Sequence, residues 1–249
     1  MVKKMQRYFI KSKQIQNDLI YINNSDFHHM KNVMRMNIND KVEVCDEFEN
    51  LSISEIFEIN KDNIVLKIIK KINSNVELPT NITIALGLTR NTKLEEVLRR
   101  IVELGASSFI PIEMKRSVIR IKDKNTSRQL RMEMIVKEAA EQSKRTRLLE
   151  VKEPIKLENL VNHLIEYDLL VYAYEDLSSN SKAIFKNIIP SFIGKRVLII
   201  IGPEGGFAPE EVFLLNSKGF IAIGLGPRIL RLETAPLYIM SAISYELEL

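Results

Sequence analysis

The chain has 249 residues, and 45% of them are hydrophobic, so it can bury a sizeable core and lacks the composition of a disordered protein. Its length fits two unequal domains or one large α/β domain. The single cysteine, Cys45, excludes an internal disulfide framework and a multi-cysteine metal site, and only three histidines argue against a histidine-rich zinc site. The net charge of +4 is modest, so the distribution of basic residues matters more than their sum.

The first 72 residues are predicted to be rich in β-strands. The segments RYFI, KVEVCDEF, LSISEIFEI and NIVLKIIKKI are apolar or alternating, and Asn/Asp turns separate several of them. This pattern is typical of a small barrel or sandwich. One helix is predicted in SDFHHMKNVMRM, with Ser25 or Asp26 as its cap.

The polar stretch 73–81 is predicted to be a linker between an N-terminal domain, 1–72, and a C-terminal domain, 82–249. Beyond it, the apolar segments ITIALGL, SSFIPIEM, DLLVYAYE, RVLIIIG and GFIAIGLG alternate with helices. The first helix is predicted to have a capping box of Thr92 and Glu95 and to stop at Gly105. Such an alternation predicts an α/β fold with a parallel sheet covered on both faces.

The start of the chain, MVKKMQRYFI, lacks the apolar region of a secretory signal, and the longest apolar runs are too short to span a bilayer. We therefore expect a soluble, cytoplasmic protein with no membrane partner.

The segment IIGPEGGFAPEE places a glycine-rich loop between a predicted strand and a predicted helix. No Lys-Ser/Thr follows the glycines, so it is not a Walker A loop, and the glycine spacing differs from the Rossmann fingerprint. Tight turns and close helix packing remain alternative reasons for the glycines. Ala208 stands where a Ser or Thr cap is expected, which should cost about 1 kcal/mol.

A second loop of the same character lies in IGLGPRILRLETA. Both loops follow late strands, so they are expected to converge at the carboxyl ends of a parallel sheet. A crevice made of such loops offers backbone groups and few charges, which suits a neutral or zwitterionic ligand with a purine better than a polyphosphate.

The pair IIGPEGGFAPEE and LGPRILRLETA resembles the RsmE family of 16S rRNA (uracil-N3)-methyltransferases, which belong to the SPOUT class. The likeness extends to QRYFI, HHMKNVMRMNINDKVEVCD, LEEVLRRIVELGASSFIPIEMKRSV and EAAEQSKRTR, and so covers nearly the whole chain. The chain departs from the family pattern at Arg90-Asn91-Thr92, at Arg99-Arg100, and at Leu232 and Pro236. These departures bear on the fine positioning of the substrate.

The resemblance implies a PUA-like, RNA-binding β-barrel domain followed by a SPOUT domain with a deep trefoil knot. It also implies S-adenosyl-L-methionine as the methyl donor, no metal, and a homodimer. The substrate implied is N3 of a uridine in 16S rRNA (uracil 1498 in the usual rRNA numbering), on the assembled small ribosomal subunit.

The donor is expected to bind in the loops at 172–175, 201–206 and 225–231, mostly through backbone groups. The cofactor-binding residues implied are Tyr172, Ala173, Ile201, Gly202, Pro203, Gly205, Gly206, Leu225, Gly226, Ile229 and Leu230. Tyr172 and Tyr174 also fit a purely structural place in the core.

Basic residues concentrate at the end of one long helix and in the first domain, in a pattern that suits RNA phosphates and 2′-hydroxyls as well as an ordinary solvated surface. The predicted RNA-binding residues are Arg7, Lys31, Arg35, Arg116, Lys144, Arg145 and Arg147.

Two residues are candidates for catalysis. Uracil N3 becomes a good nucleophile when it loses its proton, so an enzyme must stabilise the resulting anion or remove the proton. Arg231 is the first choice for stabilising charge on the uracil oxygens, and Glu204 is a candidate base that could equally hydrogen-bond within the loop. Glu233 could cap the last helix.

Two other functions remain open at this point. One is a catalytically silent RNA-binding or ribosome-assembly protein of the same fold. The other is a SPOUT methyltransferase that acts on another RNA, such as tRNA.

Overall fold

The computed structural model describes residues 5–121, 126–174 and 184–249. By its internal contacts the described chain divides into two units, one made of 5–77 with 140–148 and the other of the remaining residues from 78 onward. Residues 140–148 were predicted to be part of the C-terminal domain, but they group with the N-terminal unit. The physical reason is a set of ion pairs, in which Lys144 contacts Glu43 and Arg145 contacts Glu77.

The N-terminal unit is built on one mixed sheet of six strands. These are β1 (Arg7–Phe9), β2 (Ile15–Gln16), β3 (Leu19–Ile22), β4 (Lys41–Cys45), β5 (Leu51–Ile59) and β6 (Ile64–Ile72). The order is β1-β4-β5-β6-β3-β2, with β1 parallel to β4 and the other pairs antiparallel. The predicted β-rich fold is confirmed, whereas β2 and β3 were not predicted.

A short helix, α1 (Asn24–His28), precedes β4 and continues as a π-helical turn at His29–Val33. Its N-cap is Asn23, so the prediction of a cap at Ser25 or Asp26 was wrong by two or three residues. The Tyr8 hydroxyl, on β1, lies 3.0 Å from Nδ1 of His29. This contact joins the helix to the sheet over a core that contains Met30.

The C-terminal unit alternates strands and helices. The strands are β7 (Asn81–Gly87), β8 (Ser108–Glu113), β9 (Glu150–Val151), β10 (Ile155–Lys156), β11 (Leu169–Ala173), β12 (Arg196–Ile201) and β13 (Ile221–Ile223). The helices are α2 (Asn91–Glu103), α3 (Thr126–Ser143), α4 (Leu157–Leu160), α5 (Ile184–Ile188), α6 (Pro209–Ser217) and α7 (Thr234–Glu248). The last residues of α3, from 140 to 143, group with the N-terminal unit.

The seven strands form one sheet in the order β10-β8-β7-β12-β11-β13, with β9 beside β8, and every recorded pair is parallel. The central strands β7 and β12 are buried almost throughout, because their apolar side chains are covered on both faces. The predicted α/β fold with a parallel sheet is therefore confirmed. The trefoil knot stays a prediction.

The start of α2 differs from the sequence-based prediction. The amides of Lys93 and Leu94 both donate to the carbonyl of Arg90, which makes Arg90 the N-cap. The predicted capping box of Thr92 with Glu95 was therefore wrong. The predicted stop is confirmed, since Gly105 follows the helix with φ +91°, a conformation that glycine adopts without strain.

Candidate functional site

The two glycine-rich loops leave the same edge of the parallel sheet. Strand β12 runs directly into Gly202, and strand β13 runs directly into Gly224. Strand β11 lies between β12 and β13, and all three are parallel. Their carboxyl ends therefore point the same way, at the edge where ligands bind in open α/β sheets.

A cavity of about 420 Å³ lies at this edge. Its lining consists of Lys93, 173–174, 201–204, 206–207, 224–233 and Ala235. The structure thus brings the ends of three neighbouring strands together around one space, as the two loops predicted. The volume lies within the usual range of small-molecule sites, which is roughly 300–1,000 Å³.

Most of the predicted cofactor-binding residues line this cavity: Ala173, Ile201, Gly202, Pro203, Gly206, Leu225, Gly226, Ile229 and Leu230. Both candidate catalytic residues, Glu204 and Arg231, line it as well. Glu175, at the end of the first predicted loop, lies outside the described residues. The assignment of these residues to a cofactor stays a prediction.

Two predicted cofactor residues are placed elsewhere. The Tyr172 side chain is 1% exposed and its hydroxyl donates to Oδ1 of Asn216 at 2.9 Å, so it belongs to the core. Its neighbour Tyr174 lines the cavity instead and packs edge-on against Phe207. Both rings contact Phe207, and Tyr174 follows the last residue of β11, where the chain reaches the cavity. The alternative that Tyr172 is a core residue is therefore the one the geometry supports.

Gly205 is the other exception, and it faces Arg116. A Cβ added at Gly205 would lie 3.0 Å from the Arg116 Cβ, and Arg116 Nη1 donates to the carbonyl of Gly205 at 3.0 Å. Arg116, predicted to bind RNA, thus braces the outside of the first loop while it remains exposed.

The first loop passes into α6 through a buried carboxylate. Glu211 is 2% exposed and accepts the amides of Ala208 and Lys115, each at 2.8 Å. Accepting the amide of the N-cap residue Ala208 is one half of a capping box, whereas the alanine side chain cannot accept the helix amide that a Ser or Thr cap would bind. The amide of Lys115 comes from the segment after β8, so Glu211 ties this segment to the loop.

The loop backbones need glycine at two positions. Gly206 has φ +67° and Gly226 has φ +102°, and both values fall in the left-handed region that other residues rarely adopt. No atom lies within 4 Å of a Cβ placed on Gly226, so the backbone there borders open space.

The cavity contains a lysine between two carboxylates. Nζ of Lys93 lies 3.3 Å from Oε1 of Glu204 and 3.4 Å from Oε2 of Glu233. The hydroxyl of Thr89 also donates to Glu204. Burial raises the pKa of Glu204, but the hydrogen bonds from Thr89 and Lys93 outweigh burial and hold the pKa below its ordinary value. A carboxylate of this kind stays ionised and accepts protons poorly, which favours the structural alternative for Glu204 over the role of base.

Lys93 was not among the predicted site residues. One signal was available, because a lysine in the first turn of a helix opposes the helix dipole. Glu233, expected as a possible cap of the last helix, is the N-cap of α7 by position, and its carboxylate faces Lys93.

Three of the predicted RNA-binding residues are engaged inside the N-terminal unit. Arg7 is 4% exposed and donates to Glu43 and to the carbonyl of Arg145, both at 2.9 Å. Arg145 is 3% exposed and pairs with Glu77. Lys144 pairs with Glu43 at 2.9 Å. The burial of Arg7 and Arg145 contradicts a direct contact with RNA, because guanidinium groups enclosed by protein acceptors cannot reach a phosphate.

The other predicted RNA-binding residues of this unit are more accessible. Arg35 is exposed, Arg147 pairs with Glu49 at a partly exposed position, and Lys31 lies over the ring of Phe27. Lys31 Nζ also donates to the carbonyl of Asn60 at 3.2 Å.

Among the residues that the structure describes, no group of three or more His, Cys, Asp or Glu side chains is arranged to hold a metal ion. Within the same residues, no helix combines the length and apolar character needed to cross a membrane.

Comparisons with known proteins agree with this architecture. The family described as "RNA methyltransferase domain" matches residues 76–244, and "RNA methyltransferase PUA domain" matches residues 22–69. Ribosomal RNA small subunit methyltransferase E of Bacillus subtilis (strain 168) is 40% identical over 98% of both chains. The enzyme of that name from Buchnera aphidicola subsp. Schizaphis graminum is 31% identical, over 98% of this chain and 97% of its own.

A solved structure gives the same result. The crystal structure of ribosomal RNA small subunit methyltransferase E from Neisseria gonorrhoeae, bound to S-adenosyl methionine, is 25% identical, with a TM-score of 0.85 over 97% of this chain and 98% of that one. The PUA-like first domain and the methyltransferase second domain implied by the sequence are thus confirmed. The chain belongs to the RsmE family of ribosomal RNA small subunit methyltransferases.

Proposed function

We propose that the protein transfers the methyl group of S-adenosyl-L-methionine to N3 of a uridine in 16S rRNA, on the assembled small ribosomal subunit. S-adenosylmethionine-dependent methylation of rRNA is the activity of the family to which the chain belongs. The cavity at the carboxyl ends of β11, β12 and β13 is the observation that carries the proposal. It is lined by the loops that were predicted to bind the donor.

The cavity fits this donor by its chemistry. S-adenosylmethionine combines a purine, a ribose, a sulfonium cation and an amino-acid group. The lining offers apolar side chains such as Leu225 and Leu230, glycine backbone at Gly226, and charged side chains of both signs. When bound, the donor supplies the electrophilic methyl group. We propose that residues 173–174, 201–206 and 225–231 hold it, with Tyr174 in place of Tyr172.

Arg231 is proposed as the catalytic residue. It lines the cavity and is exposed, so its guanidinium group can meet a base that enters from solvent. A fixed positive charge beside the uracil oxygens stabilises the anion that forms when N3 loses its proton. Glu204 is proposed to fix the loop, since Thr89 and Lys93 already occupy its carboxylate.

Contact with RNA is proposed for the accessible basic residues Lys31, Arg35, Arg116 and Arg147. In this proposal Arg7, Lys144 and Arg145 stabilise the N-terminal unit. They affect RNA binding only by maintaining the shape of that unit. Residues 1–72 serve as the RNA-binding domain, 73–81 as the linker and 82–249 as the methyltransferase domain, with 140–148 contributed to the first.

We also propose that the protein is a homodimer, as the family resemblance implies. The apolar residues of the last helix, α7, suit either an interface or the core. Met240 and Ile243 are buried within the unit, whereas Tyr238 is 46% and Tyr245 is 69% exposed on the same helix. The face with Met240 and Ile243 therefore packs in the core, and we propose that the face with the two tyrosines forms the dimer interface.

Calorimetric titration with S-adenosyl-L-methionine tests the proposal directly. Gly205→Arg should abolish binding, because a side chain there meets Arg116 and displaces the loop. Ile165→Arg, which adds the same charge at a fully exposed position of the same unit, should bind as the wild type does. The methylated position is then mapped on 16S rRNA from small subunits and from free rRNA.

The alternatives give different results. A silent RNA-binding protein would show no heat of binding at about millimolar donor, with or without small subunits. A methyltransferase for another RNA would bind the donor and leave 16S rRNA unmodified, while tRNA gained a methyl group.

A further inference from the structure

Lys93 connects the two loops that line the cavity. It lies in the first turn of α2, and α2 follows the strand β7 rather than either glycine loop. Its ammonium group contacts Glu204 of the first loop at 3.3 Å and Glu233 of the second at 3.4 Å. Twenty-nine positions separate these carboxylates along the chain, so one cation from a third segment joins two distant loops.

The position of Lys93 is unfavourable for a lysine by local criteria. The first turn of α2 contains no acidic residue, and the N-terminus of a helix carries a partial positive charge. A cation there is stabilised only by partners outside the helix. The two loop carboxylates are such partners: the hydrogen bond to Glu204 and the negative charges of Glu204 and Glu233 raise the pKa of Lys93, so the ammonium stays charged.

A second group from the same connection holds the first loop. Thr89, between β7 and α2, is completely buried and donates its hydroxyl to Glu204. The Glu204 carboxylate is thus held by two groups, the hydroxyl of Thr89 and the ammonium of Lys93. Glu233 receives Lys93 at the start of α7, where the second loop ends. The β7–α2 connection therefore acts as a common anchor for both loops.

We propose that Lys93 is a positioning residue that couples the 201–206 loop to the 225–233 loop. By doing so it keeps the cavity in the conformation that binds the donor. The inference rests on the proposed function for the identity of the ligand, but the coupling itself is a property of the free protein. Lys93 does not act on the reacting atoms in this scheme. Its removal leaves two carboxylates without their shared cation, and their mutual repulsion moves the loops apart.

Hydrogen–deuterium exchange of the donor-free protein tests the coupling. Lys93→Met should speed exchange in peptides from both loops, 201–207 and 225–235, and leave the β5 and β6 peptides unchanged. Lys93→Arg should restore protection in both loops, because a guanidinium can bridge the same carboxylates. Arg100→Met, which removes an exposed cation of the same helix that pairs with Glu103, is the matched control and should exchange like the wild type.

Glu233→Gln provides a second variant that is independent of the stability of Lys93→Met. It breaks one link only, so exchange should rise in peptide 225–235 and stay low in peptide 201–207, where Thr89 and Lys93 still hold Glu204. Unchanged exchange in both loops of Lys93→Met, or no rescue by arginine, would overturn the coupling. An equal rise in exchange in both peptides of Glu233→Gln would contradict the conclusion that Glu204 and Glu233 anchor the two loops separately.

Kinetics then separates this inference from the proposed function. Lys93→Met should raise the KM for S-adenosylmethionine about tenfold, as expected for the loss of two partly exposed ion pairs, with kcat at saturating donor changed less than about twofold. A large fall in kcat with unchanged KM would make Lys93 catalytic and overturn the positioning role. If the wild type binds no donor, the proposed function fails, while the exchange experiment still decides the coupling.

Discussion

Glu77 and Arg145, which are 68 residues apart in the chain, form a buried ion pair in the N-terminal unit, with Arg145 Nε 3.1 Å from Glu77 Oε2. The same carboxylate accepts the amides of Thr146 and Arg147 at 2.9 and 3.2 Å. Glu77, the last residue of the N-terminal unit's first segment, therefore fastens the segment after α3 to that segment. Removing one partner of such a pair leaves a buried charge without compensation.

Glu77→Gln should destabilise the protein by about 3 kcal/mol, because the Arg145 guanidinium loses its counter-charge in a buried position. Chemical denaturation followed by circular dichroism measures this change. The control is Glu55→Gln, which removes a partly exposed partner of Lys41 and should cost at most about 1 kcal/mol. Equal losses in the two variants would show that the Glu77 pair acts like an ordinary surface pair.

The same carboxylate predicts a difference at acid pH. Burial raises the pKa of Glu77, but its hydrogen bonds and ion pair with Arg145 outweigh burial, so the folded-state pKa lies below the ordinary value of 4.5. The folded state then binds fewer protons than the unfolded state. This stabilisation is fully present above the ordinary pKa and is lost as the pH falls through the folded pKa.

Denaturation at a series of pH values below 5 should therefore show a steeper loss of stability for the wild type than for Glu77→Gln. Above pH 6 the difference between the two proteins should be constant, since both states of the wild type are then ionised at this residue. Parallel curves from pH 6 down to pH 3 would contradict the prediction.

The parallel sheet and its loops could be predicted because their signals are local. Apolar strands such as RVLIIIG are continuous, and the glycines that follow them mark where backbone must turn. The roles of Arg7 and Arg145 could not be predicted, because their partners lie 36 to 138 residues away and composition does not reveal burial. A basic segment has the same composition whether it faces RNA or a carboxylate.

Two other misses have the same origin. Strand β3, with the sequence LIYI, is short and lacks alternation, and its assignment depends on pairing with β6. The contacts of Lys93 require two loops that only the sheet brings together.

Binding of RNA should depend on Lys31 and Arg35 through their charge. The slope of log K against log salt is negative, because each phosphate contact releases about one counterion. Replacing both residues by glutamine should make this slope less steep by about 1 to 2 units. Filter binding to 16S rRNA fragments between low and physiological salt measures the slope. A double variant of two other exposed lysines of the same unit, Lys13→Gln with Lys41→Gln, removes the same charge and should leave the slope unchanged. An equal fall in both double variants would indicate diffuse binding without a defined face.

Arg231→Met should lower kcat by about 10²- to 10³-fold, the usual effect of removing a group that stabilises developing negative charge. Donor affinity should change little, since the donor is proposed to bind mostly through the backbone groups of the loops. Single-turnover methylation of small subunits, with calorimetry of donor binding on the same preparation, measures both quantities. Arg231→Lys should recover part of the rate, because it keeps the charge but loses the fixed fork of donors. Arg100→Met, at a residue that does not line the cavity, controls for loss of one positive charge. A variant that loses donor binding and rate together would place Arg231 in the donor site instead.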